Sequence, residues 1–172
     1  MRKNQTLSDS TGRITIFLDS ILLMRWCLGE YMSQKYIIDS CIWRDFYEDR
    51  ASKSGRPLGK YAYDLFVKIL KRNDTILFSE ALIEELRRYY PEEKVNEMLS
   101  LVMHIGALNK IEIADDEDAE ARELSVKRKI PRFDCLNAVQ ARNNDAVLVS
   151  QDKHIVHTLS DVAKSLRPEE IS

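Results

Sequence analysis

The sequence predicts an α/β fold of three layers, with helices on both faces of a central parallel sheet. Two observations lead to it. Short apolar runs of strand length recur at "YIIDS" (36–40), "TILFS" (75–79), "KIEIA" (110–114) and "AVLVS" (146–150). Between them lie amphipathic stretches whose apolar residues keep helical spacing. Strands that alternate with helices need crossover connections, so neighbouring strands run parallel and both sheet faces are covered. The chain has 172 residues, enough for one domain with a sizeable core.

The elements follow in order. After the first strand, "IWRDFYED" reads as a helix, and "RASKSGRPLG" (50–59) as a basic loop punctuated by Gly and Pro. "KYAYDLFVKILKR" places Ala62, Leu65, Phe66 and Ile69 on one helical face. The second strand leads into the helix "EALIEELRRYY". "PEEKVNEMLSLVMHIG" then opens on Pro at a helix start and repeats Val95, Met98, Leu99, Val102 and Ile105. "DDEDAEARELSVKRK" is acidic at its start and basic at its end, which complements a helix dipole. Pro131 breaks it, and "FDCLNAVQARNN" forms a further helix before the fourth strand.

Composition narrows the function classes. Hydrophobic residues make up 44% and charged residues 31%, a globular profile, and there is no internal repeat or low-complexity segment. Net charge is -2, so a nucleic-acid partner must be held by a local basic patch. Three widely spaced cysteines, Cys27, Cys41 and Cys135, argue against a disulfide framework and fit a reducing cytoplasm. The apolar run "ITIFLDSILLMRWCLG" is short and carries Asp19 and Arg25, which makes it a poor membrane span and a poor signal peptide. Residues 1–31 therefore read as a leader, an added helix or a misassigned start, and residues 32–172, from Met32 onward, as the functional domain.

Ligands of such sheets gather outside the carboxyl ends of the strands. Asp39 ends the first strand, Ser79 the second, and Ser150 with Asp152 the fourth, while Asp134 begins the helix before it. A fourth acid comes from Glu84 or Glu85. Leu82, Ile83, Leu86, Tyr89 and Tyr90 define that helix's apolar face, and at about 100° per residue Glu85 sits at its margin and Glu84 nearly opposite. Carboxylates so placed repel by about 4 kcal/mol per pair at ~4 Å under an effective dielectric near 20. A hard divalent cation reverses that cost, and Mg²⁺ takes one or two carboxylates, several waters and phosphate oxygens. Carboxylates plus a hydroxyl, with no His–Cys cluster, suit Mg²⁺ or Mn²⁺ over Zn²⁺.

"YIIDSCIW", "ILFSEALIEEL", "PRFDCLNAVQA" and "AVLVSQDKHI" resemble, in order and spacing, the motifs of PIN-domain ribonucleases, VapC-like toxins above all. The resemblance covers about residues 35 to 157. It implies a PIN-like fold and a metal-dependent endoribonuclease, usually dimeric and often neutralised by a small antitoxin. By position it carries the four acids onto Asp39, Glu85, Asp134 and Asp152. Ser150 matches the hydroxyl residue two before the last acid, Ser40 the one after the first, and Asn137 a His or Asn on the third-acid helix. The segment before Met32 and the long basic loop depart from the common toxin pattern.

Each signal has a plainer counterpart. Asp39 and Asp134 also suit helix N-caps, and Asp152 a turn. Lys127, Arg128, Lys129 and Arg132 of "KRKIPR" either hold RNA phosphates or form the solvated end of a helix; "RASKSGRP" is either a substrate contact or a mobile loop. Arg87 and Arg88 read as surface charges, His154 and His157 as surface histidines, His104 as structural, and Cys41 and Cys135 as core cysteines. The expectation is a Mg²⁺- or Mn²⁺-dependent endoribonuclease with metal on Asp39, Asp134 and Asp152 and with Glu85 completing the site. Its expected partners are RNA, an antitoxin and a second copy of itself, with no membrane. A catalytically silent module that binds RNA or protein is the alternative. Phosphotransfer through Asp39 is disfavoured because Cys41 stands where a second Asp is needed, and five glycines form no phosphate-loop pattern.

Overall fold

The computed structural model describes residues 33–104 and 106–171, so the expectations for residues 1–31 and for a domain start at Met32 lie outside the described residues. Five strands form one sheet: β1 (Lys35–Ile38), β2 (Thr75–Phe78), β3 (Leu108–Lys110), β4 (Ala146–Val149) and β5 (Ser165–Leu166). Their order is β3-β2-β1-β4-β5, and every pairing is parallel. Six α-helices intervene: α1 (Ser40–Glu48), α2 (Leu58–Lys71), α3 (Glu80–Arg87), α4 (Glu92–His104), α5 (Asp115–Arg128) and α6 (Arg132–Asn143).

The period-two alternation of the strands divides the core in two. Tyr36 and Ile38, Ile76 and Phe78, and Val147 and Val149 point to one face and pack with Trp43, Phe66, Leu82 and Val95 of α1 to α4. Ile37, Leu77 and Leu148 point to the other and meet Ala121 of α5 and Leu136, Ala138 and Ala141 of α6. Trp43 and Phe66 anchor the first layer with ring centroids 4.9 Å apart. Trimming Trp43 to Ala would cost about 3–5 kcal/mol. The result is the expected three-layer α/β/α arrangement.

Two expectations about strands need correction. The third strand is Leu108–Lys110, not 110–114: buried Ala107 and Leu108 carry the pairing, with the Ile76 N–H donating to the Ala107 carbonyl at 2.7 Å. The ladder ends as the Ile111 N–H reaches the Phe78 carbonyl, and Ile113 turns to the second core. The sequence also suggested four strands, but β5 adds a fifth, with Ser165 and Leu166 in register with Leu148 and Val149.

Two of the plainer readings, a mobile basic loop and a structural His104, fit the structure poorly. The basic loop is tied down: Arg50 Nε donates to Asp45 Oδ1 at 2.7 Å, and Arg56 pairs with Glu169. At the loop's end a Cβ on Gly59 would lie 2.5 Å from Asp49 Oδ1, so the loop can close back only on glycine. His104 is exposed on α4, with Nδ1 2.7 Å from the Ser100 carbonyl. Among the described residues no helix is long and apolar enough to cross a membrane.

From β1 the chain builds outward to β2 and β3, then returns to place β4 on the opposite side of β1. The β1/β4 boundary is thus the topological switch point, where an open parallel sheet leaves a crevice at its carboxyl edge.

Candidate active site

Asp39 stands at that boundary. It occupies the N-cap position of α1 with extended backbone, yet its side chain makes no capping bond. The carboxylate turns inward instead and is only 5% exposed. Its Oδ2 accepts from the Ser150 hydroxyl at 2.7 Å and from the Cys41 thiol at 2.8 Å, while the Ser40 hydroxyl lies 3.5 Å from Oδ1. Two donors on one oxygen fix the carboxylate, whose other oxygen has only the more distant Ser40 hydroxyl. Burial, then the charge and hydrogen bond of Asp39, push the Cys41 thiol well up, so it stays a protonated donor. Cys41 is partly exposed and serves the site, whereas Cys135 is fully buried in the core.

Ser150 ties two strand ends together. While donating to Asp39, its hydroxyl accepts the Asp152 backbone N–H at 2.9 Å. Asp152 is exposed, and its Oδ1 accepts the His154 N–H at 2.7 Å, a turn bond that occupies one carboxylate oxygen. His154 and His157 fall in a single π-helical turn and are both exposed.

Glu85, on α3, is half-buried, and Glu84 is exposed. Burial, then the charge of Asp39, raise Glu85 from 4.5 to about 7, against the opposing pull of the Ser40 hydroxyl and Arg88. Its Oε2 is buried with no hydrogen-bond partner among the described residues. Asp134, in the first turn of α6, is raised from 3.8 to about 7 by burial and then by Asp39, Glu85 and Asp152. Asp39, Glu85 and Asp152 thus act on Asp134 through their charges, and Asp39 acts on Glu85. Asn137 lies one turn past Asp134 and is buried on α6.

The basic segment behaves differently. Arg128 grips Asp161 with both terminal nitrogens, at 2.6 and 2.7 Å, and Arg132 Nε meets Asp118 at 2.7 Å. Lys127 and Lys129 are exposed. Two residues escaped the sequence reading. Cys41 was legible only as a neighbour of Asp39, because nothing in the sequence aims its thiol. Arg88 carried a usable signal, since it follows Glu85 by three residues on the same helix face.

The residues fit a hard cation in chemistry: oxygen donors, an orphaned buried carboxylate oxygen, and two acids that burial and neighbouring carboxylates push up to about 7. Among the described residues no three acidic, His or Cys side chains form a ready-made ligand cluster.

The comparisons with known proteins agree with this fold. The PIN domain matches residues 36–161, and the chain belongs to the PIN-domain family, whose members are generally nucleases. Its structure is similar to that of VapBC2 from Rickettsia felis bound to a DNA fragment from their promoter, at 17% identity and a TM-score of 0.53. That match covers 78% of this chain and 98% of the other. A toxin–antitoxin complex from Klebsiella pneumoniae is similar at 16% identity and a TM-score of 0.52, covering 79% and 99%. No curated protein is similar enough to count as a match.

Proposed function

We propose that the chain is an endoribonuclease that hydrolyses RNA phosphodiester bonds with Mg²⁺ or Mn²⁺, and that it acts as the toxin of a toxin–antitoxin pair in the cytoplasm. The observation that carries the reading is the convergence of Asp39, Glu85, Asp134 and Asp152 at the sheet's switch point, with two of them raised to about 7. Asp39, Asp134 and Asp152 would hold the cation. When bound, it supplies an activated water and offsets charge on the phosphate.

The chain's own residues supply the rest. Ser150 and Cys41 clamp Oδ2 of Asp39, so that Oδ1 is presented in one orientation. Ser150 also fixes the backbone of Asp152 relative to Asp39. Glu85 has a proton affinity close to neutral pH, which suits a group that takes a proton from the attacking water. Ser40 steadies Glu85, and Asn137 follows Asp134 by three residues on the same helix. The antitoxin partner is supported by the likeness to a toxin–antitoxin complex; the homodimer is an expectation of the family resemblance.

The test is cleavage of a panel of structured and single-stranded RNAs with Mg²⁺, Mn²⁺ or EDTA, comparing the chain with Asp39→Asn. Metal-dependent cuts that fall about a hundredfold or more in a variant that stays folded are the expected result. A folded, inhibitor-free chain that cuts no RNA with either metal would favour the silent binding module instead.

A further inference from the structure

Four acids at the centre repel the backbone they are meant to cut, so the chain must hold RNA with cations close by. The basic segment 127–132 serves poorly, because Arg128 and Arg132 are committed to Asp161 and Asp118. The end of α3 offers something else. Arg88 extends from α3 across to α6, where its guanidinium lies 5.2 Å from the centroid of the Phe133 ring. Phe133 directly precedes Asp134, and Arg88 follows Glu85 by one turn, so the guanidinium spans the gap between two acids' elements. Its neighbour Arg87 is tied to Glu80 and Glu92 at 3.5 and 3.0 Å. Among the described residues Arg88 forms no such salt bridge, although its charge acts on Glu85.

A second grip lies beside it. The Ser40 hydroxyl meets Glu85, and four residues further along each segment Arg44 meets Tyr89, its guanidinium 3.7 Å from the ring centroid. One helical turn of about 5.4 Å therefore separates this pair from the Glu85 level. Tyr89 is 57% exposed even with Arg44 against its ring. An exposed aromatic residue, next in the chain to a guanidinium that no salt bridge holds, offers what single-stranded nucleic acid recognition uses: bases stack on rings and phosphates take the cations.

We propose that Arg88 and Tyr89 are the RNA-gripping residues of this centre, Arg88 taking a backbone phosphate and Tyr89 stacking a base of single-stranded RNA. Phe133 and Arg44 are positioning residues that hold them flat. The proposal rests on the nuclease reading and adds where the substrate lies and why it must be unpaired there.

The test measures binding of a fluorescein-labelled, unstructured RNA oligonucleotide by the full chain in an Asp39→Asn background with Mg²⁺, over a salt series. Cleavage by the chain with intact Asp39 is followed in parallel. Arg88→Ala should weaken binding about tenfold and lower the slope of log affinity against log salt by about 0.7, one phosphate's share on a single strand. Tyr89→Ala should weaken it roughly five- to hundredfold with the slope unchanged, and Tyr89→Phe should restore it. Arg87→Ala, with its charge already paired, should bind like the parent. Thermal melts establish folding, and Arg88→Gln replaces Arg88→Ala if the latter does not fold. Parental affinity in both Arg88→Ala and Tyr89→Ala, with cleavage intact, overturns the grip and leaves the nuclease standing. A chain that neither binds nor cuts RNA overturns both.

Discussion

Two clusters of buried and half-buried carboxylates meet α6 toward its two ends, and they are built on opposite principles. Glu117, on α5, is 8% exposed and well supplied with donors. Its Oε1 accepts from Asn143 Nδ2 at 2.9 Å, and its Oε2 from Gln140 Nε2 and the Ala114 N–H, both at 3.3 Å. This acid reaches back to the helix start and staples α5 to α6. Glu85 and Asp134 sit in the other cluster. There the neighbours are further acids, one oxygen has no partner, and both groups hold protons up to about 7. A structural acid is surrounded by what it needs. On the reading proposed above, the acids at the sheet edge are arranged to take a cation.

Breaking each cluster should therefore give opposite signs. Glu117→Ala leaves buried donors of Gln140 and Asn143 unpaired and should cost about 2–3 kcal/mol, read as a lowered denaturation midpoint with unchanged slope. Glu85→Gln removes a repelling charge. At pH 8 without metal it should stabilise the fold by about 1 kcal/mol, after discounting the raised pKa for solvent screening, while impairing cleavage. If both changes destabilise alike, the contrast fails.

A smaller effect follows from pH. The folded chain holds protons on Glu85 and Asp134 that the unfolded chain releases at its ordinary values of 4.5 and 3.8. Protons bound more tightly in the folded state mean that stability falls as pH rises between about 4 and about 7. The metal-free protein should melt lower at pH 8 than at pH 5 by a few degrees, at about 2–4 °C per kcal/mol. Melting curves at matched ionic strength check this, and Glu85→Gln should flatten the difference.

The contrast also marks what the sequence could and could not say. Strand ends were legible because apolar runs stop abruptly at Asp39, Ser79 and Ser150. The choice of Glu85 over Glu84 followed from helix geometry, and the structure leaves Glu84 exposed and Glu85 half-buried. The β3 boundary was misread because "KIEIA" alternates like a strand, although pairing with β2 begins at Leu108. Strand β5 gave no signal: it has two half-buried residues, and its reason for being extended is β4, met only in three dimensions. The same holds for Arg128 and Arg132, which looked free in "KRKIPR". Their partners Asp161 and Asp118 lie 33 and 14 residues away. Local pattern revealed which acids end strands, but not which cations were already spent.

The central claim is that the sheet-edge acids await a divalent cation. Its most direct test is a calorimetric titration of Mn²⁺ into the chain at pH 6.5, repeated in buffers of different ionisation enthalpy. The account predicts binding that releases protons, because Glu85 and Asp134 still carry them at that pH, and loss of that binding in Asp39→Asn. Absence of binding, or equal binding with no proton release in Asp39→Asn, would contradict it.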